Sequence, residues 1–126
     1  MKLNTKRTGW LGEQACAKQL ISAGYDVYVP IVDDHGVDLV VDTGRSLKRV
    51  QVKTRIAKKS STSIEVRLGK YKGSNVDVIA VYYLPKDIIA YVPYKGDDFI
   101  NLALTTAKNN QEQGRTWFYK YMEFPL

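Results

Sequence analysis

"GVDLVVDTGRSLKRVQVKT", residues 36–54, sets Asp38, Gln51 and Lys53 among valines that have the spacing of buried strand positions. The runs GVDLVVD (36–42) and LKRVQVKTRI (47–56) are rich in β-branched residues and flank the turn residues TGRS (43–46), so the stretch reads as a β-hairpin. A symmetric loop centred on that turn places Asp42 opposite Leu47 and Asp38 opposite Gln51. Directly opposed residues lie about 5 Å apart on one sheet face. Lys53, two positions beyond Gln51, points the same way, while Val50, Val52, Thr54 and Ile56 take the other face. An acid, an amide and an ammonium gathered in apolar surroundings are costly unless they pair or hold a metal ion.

On the N-terminal side of the hairpin, residues Thr5 to Ala23 read as a helix stopped by Gly24. Glu13 shares a helical face with Cys16, Ala17 and Leu20, the expected core stripe, and Gly9 and Gly12 would let this helix approach the sheet closely. Glu13 is therefore a candidate fourth member of the polar cluster. Further strands are expected in YDVYVPIV (25–32), SIEVRLG (63–69), VDVIAVYYL (76–84) and DIIAYVPY (87–94), the last two joined by a turn at Pro85-Lys86. GDDFINLALTTAKNNQEQG (96–114) has acids at its start and glycine at its end, the pattern of a second helix. TWFYKYMEF (116–124) is expected as a last strand or edge segment. The whole, residues 1–126, is expected to form one domain of the α/β (α+β) class, with a single mixed β-sheet flanked by helices.

The net charge of +6 is unevenly spread. Residues 44–72 hold ten Lys and Arg against one acid, Glu65, so that segment carries +9 and the remainder −3. A basic band confined to one part of a fold is the footprint of a polyanion binder, and nucleic acid is the expected partner. Arg7, Arg55, Lys58, Lys59, Arg67, Lys70 and Lys72 are the candidate nucleic-acid contacts. Cys16, the one cysteine, excludes an internal disulfide and a thiolate zinc finger and suits a reducing compartment. No apolar run approaches a membrane span, and the basic start MKLNTKR leads into no signal-peptide core. A cytoplasmic protein with no membrane association is expected.

Other chemistry-bearing residues have plainer roles. His35 is expected to be an exposed loop residue, and DDHGVD (33–38) lacks the alternating ligands and final glutamate of a calcium loop. Cys16 reads as core filler with nothing nearby to lower its pKa. Asp77 is expected to cap the central strand, and Glu65 to pair with a neighbour such as Arg67. The aromatic residues of 116–124 suit cover for a sheet or an oligomer interface.

Glu13, then GVDLV with Asp38, then VQVKT with Gln51 and Lys53, resembles the PD-(D/E)XK nuclease superfamily over residues 6–56. Archaeal Holliday-junction resolvases are similar in having an early-helix glutamate, then Asp, then Glu-x-Lys. With Gln51 in place of that Glu, this chain resembles in motif the group I intron-encoded homing endonucleases, which use Gln-x-Lys. The resemblance implies a restriction-endonuclease-like core and a Mg2+-dependent DNA endonuclease, with Mn2+ able to substitute. It implies catalytic roles for Glu13, Asp38, Gln51 and Lys53, with Asp38, Gln51 and Glu13 holding the metal. Such a cation polarises a phosphodiester and activates water, and Lys53 is suited to position that water and stabilise developing charge. A site that cuts one strand needs a symmetry mate to break a duplex, so a homo-oligomer, dimer or tetramer, is expected. A junction resolvase or repair nuclease is the alternative within the same chemistry. A catalytically silent nucleic-acid-binding module is the alternative outside it, kept open by the loss of a carboxylate at Gln51.

Overall fold

The computed structural model describes residues 3–32, 35–58, 62–105 and 116–126. Helix α1 spans Thr5–Ser22. It begins where the Asn4 side chain accepts a hydrogen bond from the Arg7 N–H at 2.9 Å, which satisfies one of the amides a first turn leaves over. It ends at Ala23, ahead of Gly24 at φ +97°, a left-handed conformation open to a residue without Cβ. No helix among the described residues is long and apolar enough to cross a membrane.

Seven strands follow among the described residues: β1 (Asp26–Tyr28), β2 (Leu39–Asp42), β3 (Leu47–Arg55), β4 (Ser63–Arg67), β5 (Val78–Tyr83), β6 (Ile88–Pro93) and β7 (Phe99–Ala103). Five of them form a mixed sheet in the order β1-β2-β3-β5-β6. Its neighbours are antiparallel except at the centre, where β3 and β5 run parallel with Val50 beside Val78 and Lys53 beside Val81. The β2–β3 register pairs Leu39 with Val50 and Asp42 with Leu47, as the turn chemistry requires. Strands β4 and β7 form a separate antiparallel pair, Ile64 opposite Leu102 and Val66 opposite Ile100.

Each face of the main sheet carries its own core. On one, Cys16 and Leu20 of α1 pack against Val50, Val52, Val78, Ala80, Ile89 and Tyr91. On the other, Ile79, Val81, Ala90 and Val92 pack against Ile64, Val66, Ile100 and Leu102. Among the described residues the fold is thus α+β, one helix and a main mixed sheet, the restriction-endonuclease-like architecture that the resemblance implied.

Three local expectations are corrected. Residues 99–103 form β7 and not the start of a second helix. Here Ile100 and Leu102 are buried and Asn101 exposed, a period-two pattern that the flanking acids and glycine concealed. Residues 106–114 of that expected helix lie outside the described residues. The tail contributes one isolated bridge, Trp117 to Ala103, and then a 3₁₀ turn at Phe118–Tyr121. Phe118 and Phe124 are buried, one in each core, so the tail clamps both faces and is not a free edge. Of the two glycines expected to admit the sheet, Gly12 does so, since a Cβ there would run into the Thr54 side chain. Gly9 faces open space.

Candidate active site

Strand β2 begins at Leu39, and Asp38 is the residue before it. The Asp38 N–H donates to the Val50 carbonyl at 2.8 Å, and the next β3 amide, Val52 N–H, donates to Asp38 Oδ2, also at 2.8 Å. The carboxylate thus continues the ladder where the partner backbone has turned away. A charge-assisted bond of that kind fixes the acid beside the middle of the Gln51-Val52-Lys53 triplet. Both polar groups of a strand residue face the same strand edge, so the Val52 carbonyl lies on the Asp38 side as well. Gln51 Nε2 donates to that carbonyl at 3.2 Å, which leaves Oε1 turned toward Gly36, 3.7 Å from where a Cβ on that glycine would stand.

These groups open into a cleft of about 510 Å³ lined by His35, Gly36, Asp38, Gln51, Lys70, Tyr71 and Ser74. Gly36 sits at φ +75°, and a Cβ there would meet the Tyr71 ring at 3.1 Å, so no other residue gives the loop this path. Lys53 stands at the cleft edge, its Nζ 4.8 Å from the centre of the same ring. Burial lowers the Lys53 pKa to about 8, with the Lys70 and Arg55 cations adding to the shift and the Asp38 carboxylate opposing it.

Glu13 comes from the far side of the sheet. It is half-buried on α1, between Gly12, which touches β3, and Cys16. The Cys16 thiol, fully buried, is pushed up to about 12 by burial first and then by the Asp38 and Glu13 carboxylates. Both carboxylates raise the same thiol, Asp38 more than Glu13. Cys16 is the inert core residue that its sequence context suggests.

The basic band is more divided than its sequence. Arg7, Lys58, Arg67, Lys70 and Lys72 are exposed. Lys59 lies outside the described residues. Arg55 turns inward, its guanidinium donating to the carbonyls of Glu65 and Thr54 at 3.0 Å, and so ties β3 to β4. Lys72 pairs with Asp98 at 2.7 Å, and Arg67 lies 4.0 Å from Glu65. Asp77 accepts from the Arg49 N–H at 2.8 Å, in its expected capping role. His35 is exposed, as expected, yet lines the cleft.

The donor chemistry suits a hard divalent cation. Asp38 offers carboxylate oxygen, and Gln51 Oε1 and the Val52 carbonyl offer neutral oxygens, a set that fits a hard divalent cation. Among the described residues no group of three or more His, Cys, Asp and Glu side chains could hold a metal. A cation here would therefore depend on neutral carbonyl oxygens, and the Val52 carbonyl escaped the sequence reading because backbone atoms leave no trace in side-chain motifs. Tyr71 and Ser74 likewise carry no signal of the site in the sequence. They follow β4, and only the packing of residues 69–74 over the hairpin brings them to the cleft.

This combination of fold and motif defines a nuclease class, and the family match agrees. Residues 3–124 match the PD-(D/E)XK endonuclease family, and the chain belongs to it. Protein 5.3 of Escherichia phage T7 is 33% identical over 91 residues, covering 67% of this chain and 76% of that protein. Among solved structures, a bacterial homing endonuclease, I-Ssp6803I, aligns with TM-score 0.71 and 23% identity over 95% of this chain and 87% of its own. The Holliday junction resolvase Hjc of Archaeoglobus fulgidus aligns with TM-score 0.47 and 15% identity, over 71% and 86%. Nucleases of this family act on DNA and generally use divalent metals.

Proposed function

We propose that this chain is a divalent-metal-dependent DNA endonuclease of the homing type, acting on duplex DNA as a homo-oligomer. The observation that carries this is the Asp38 carboxylate bonded to the Val52 amide at 2.8 Å, which sets an acid against the Gln-x-Lys triplet. Asp38, Gln51 Oε1 and the Val52 carbonyl, with Glu13 behind them, would hold the cation, Mg2+ or Mn2+. When bound, it supplies Lewis-acid polarisation of the phosphate and a water of lowered pKa. The chain's own groups do the rest. Asp38 orients water through its second oxygen, and the Lys53 ammonium neutralises charge that develops on the phosphate. Exposed Lys58 and Arg7 hold flanking phosphates, a contribution that weakens with salt. The homing reading rests on Gln-x-Lys itself.

Incubation of supercoiled plasmid, a genomic library and a four-way junction, each with Mg2+, Mn2+ or EDTA, tests the proposal. Nicked or linear products only in the metal lanes, with library cuts at discrete sites, are expected. Preference for the junction would make the protein a resolvase, and binding without cleavage under every metal would make it a silent binder.

A further inference from the structure

Lys53 reaches the Tyr71 ring from β3, and Lys70 reaches it from the Gly69–Tyr71 turn after β4; their Nζ atoms lie 4.8 and 5.3 Å from its centre. The ring cannot yield to either of them. Tyr71 is 6% exposed and belongs to the core between the two sheets, and the Gly36 backbone abuts it. The turn is held by Tyr71 N–H to Leu68 carbonyl and Ser74 N–H to Tyr71 carbonyl, both 2.9 Å, and by Leu68 N–H to Asp98 carbonyl at 2.7 Å. Lys72, two residues on, is neutralised by Asp98. Lys70 and Lys53, among the described residues, have no carboxylate within ion-pair distance. Two like charges against one fixed ring repel each other, and an anion with two oxygens relieves that repulsion by accepting from both.

We propose that Lys70 is a substrate-contacting residue, which with Lys53 grips the two non-bridging oxygens of the scissile phosphodiester while Tyr71 sets their spacing. This rests on the nuclease reading of the cleft. Negative charge on those oxygens grows toward the transition state, so the second cation acts on the rate more than on ground-state binding.

Single-turnover cleavage with Mg2+ by wild type, Lys70→Ala and Lys70→Arg tests it, alongside a metal-free titration of inorganic phosphate followed by the side-chain NMR signals of Lys53 and Lys70. Lys70→Ala is expected to slow cleavage at saturating DNA by about 10²-fold, with half-saturation nearly unchanged, and Lys70→Arg to recover most of the rate. Phosphate is expected to move both lysine signals along one binding curve, weakened several-fold in Lys70→Ala. An unchanged saturated rate with raised half-saturation would reduce Lys70 to an ordinary backbone contact and overturn the proposal. So would phosphate binding at Lys53 that ignores the loss of Lys70. If wild type cleaves no DNA with Mg2+, the nuclease reading has failed and the rate role of Lys70 falls with it, whereas cleavage by wild type with an unaffected Lys70→Ala overturns this proposal alone.

Discussion

The two faces of β3 have opposite characters. Val50 and Val52 are buried against α1, whereas Gln51, Lys53 and Arg55, alternating with them, are only half-buried and look toward the β4–β7 side. The strand holds the fold together on its even positions and does its chemistry on its odd ones. A one-residue slip would exchange the two, so the same register that seals the core aims the site. Asp38 and Gly12 are where the two roles touch, one at the hairpin's open end and the other beneath it.

The chemical face is the more sensitive of the two. Asp38→Asn leaves an oxygen able to accept the Val52 N–H, so the fold should persist, with a thermal midpoint close to that of wild type. The negative charge is lost, and with it most of the attraction for a divalent cation. Cleavage should fall by about 10³-fold, roughly 4 kcal/mol in the barrier, and calorimetry with Mn2+ should show binding collapse. Binding as tight as in wild type would show that the cluster is not a metal site.

Next comes the structural side. Gly12→Ala should destabilise the protein by about 2–3 kcal/mol, because the new Cβ collides with the Thr54 side chain and crowds Val52. The Thr54 hydroxyl is buried with no hydrogen-bond partner among the described residues, so Thr54→Ala alone should be nearly neutral. The double variant should then recover more than half of the loss in denaturant melts. Additive losses would mean that α1 does not meet β3 through this contact.

The same division explains what could be read from sequence. The hairpin register was legible because TGRS fixes the turn and the valines alternate, so Asp38 and Gln51 came together by arithmetic. The α1 stripe was legible through Cys16 and Leu20. Strand β7 was misread because its acids and glycine imitate helix ends, while its period-two signal spans only five residues. The convergence of Lys53 and Lys70 on Tyr71 was beyond sequence reasoning. It depends on how residues 69–74 fold back over β3, a non-local contact that neither element encodes.

A smaller effect tests which way Gln51 points. Gln51→Glu adds a charge beside Asp38, and Mg2+ or Mn2+ should bind about tenfold tighter, roughly 1.4 kcal/mol. Activity need not rise with it, since the new carboxylate can draw the Lys53 ammonium into an ion pair and away from the phosphate. Unchanged metal affinity would place the Gln51 side chain outside the coordination shell.

The smallest effect reads the cost of the site to the fold. Lys53 titrates near 8 in the folded protein against 10.5 when unperturbed, chiefly because burial disfavours its charge and Lys70 and Arg55 repel it. Between those values the unfolded chain binds more protons than the folded one, so this group adds stability as pH rises from about 8 toward 10.5. Below pH 8 both states are protonated, and its full destabilising effect persists. Lys53→Met keeps the length of the side chain against Tyr71 and removes the charge. The metal-free variant should be more stable than wild type at pH 7, by about 1 kcal/mol, while losing cleavage. That advantage should shrink steadily from pH 8 to 10.5 in paired urea titrations. A gap constant across this range would mean that the folded protein does not perturb the ammonium, and that the odd face of β3 bears no such burden for its chemistry.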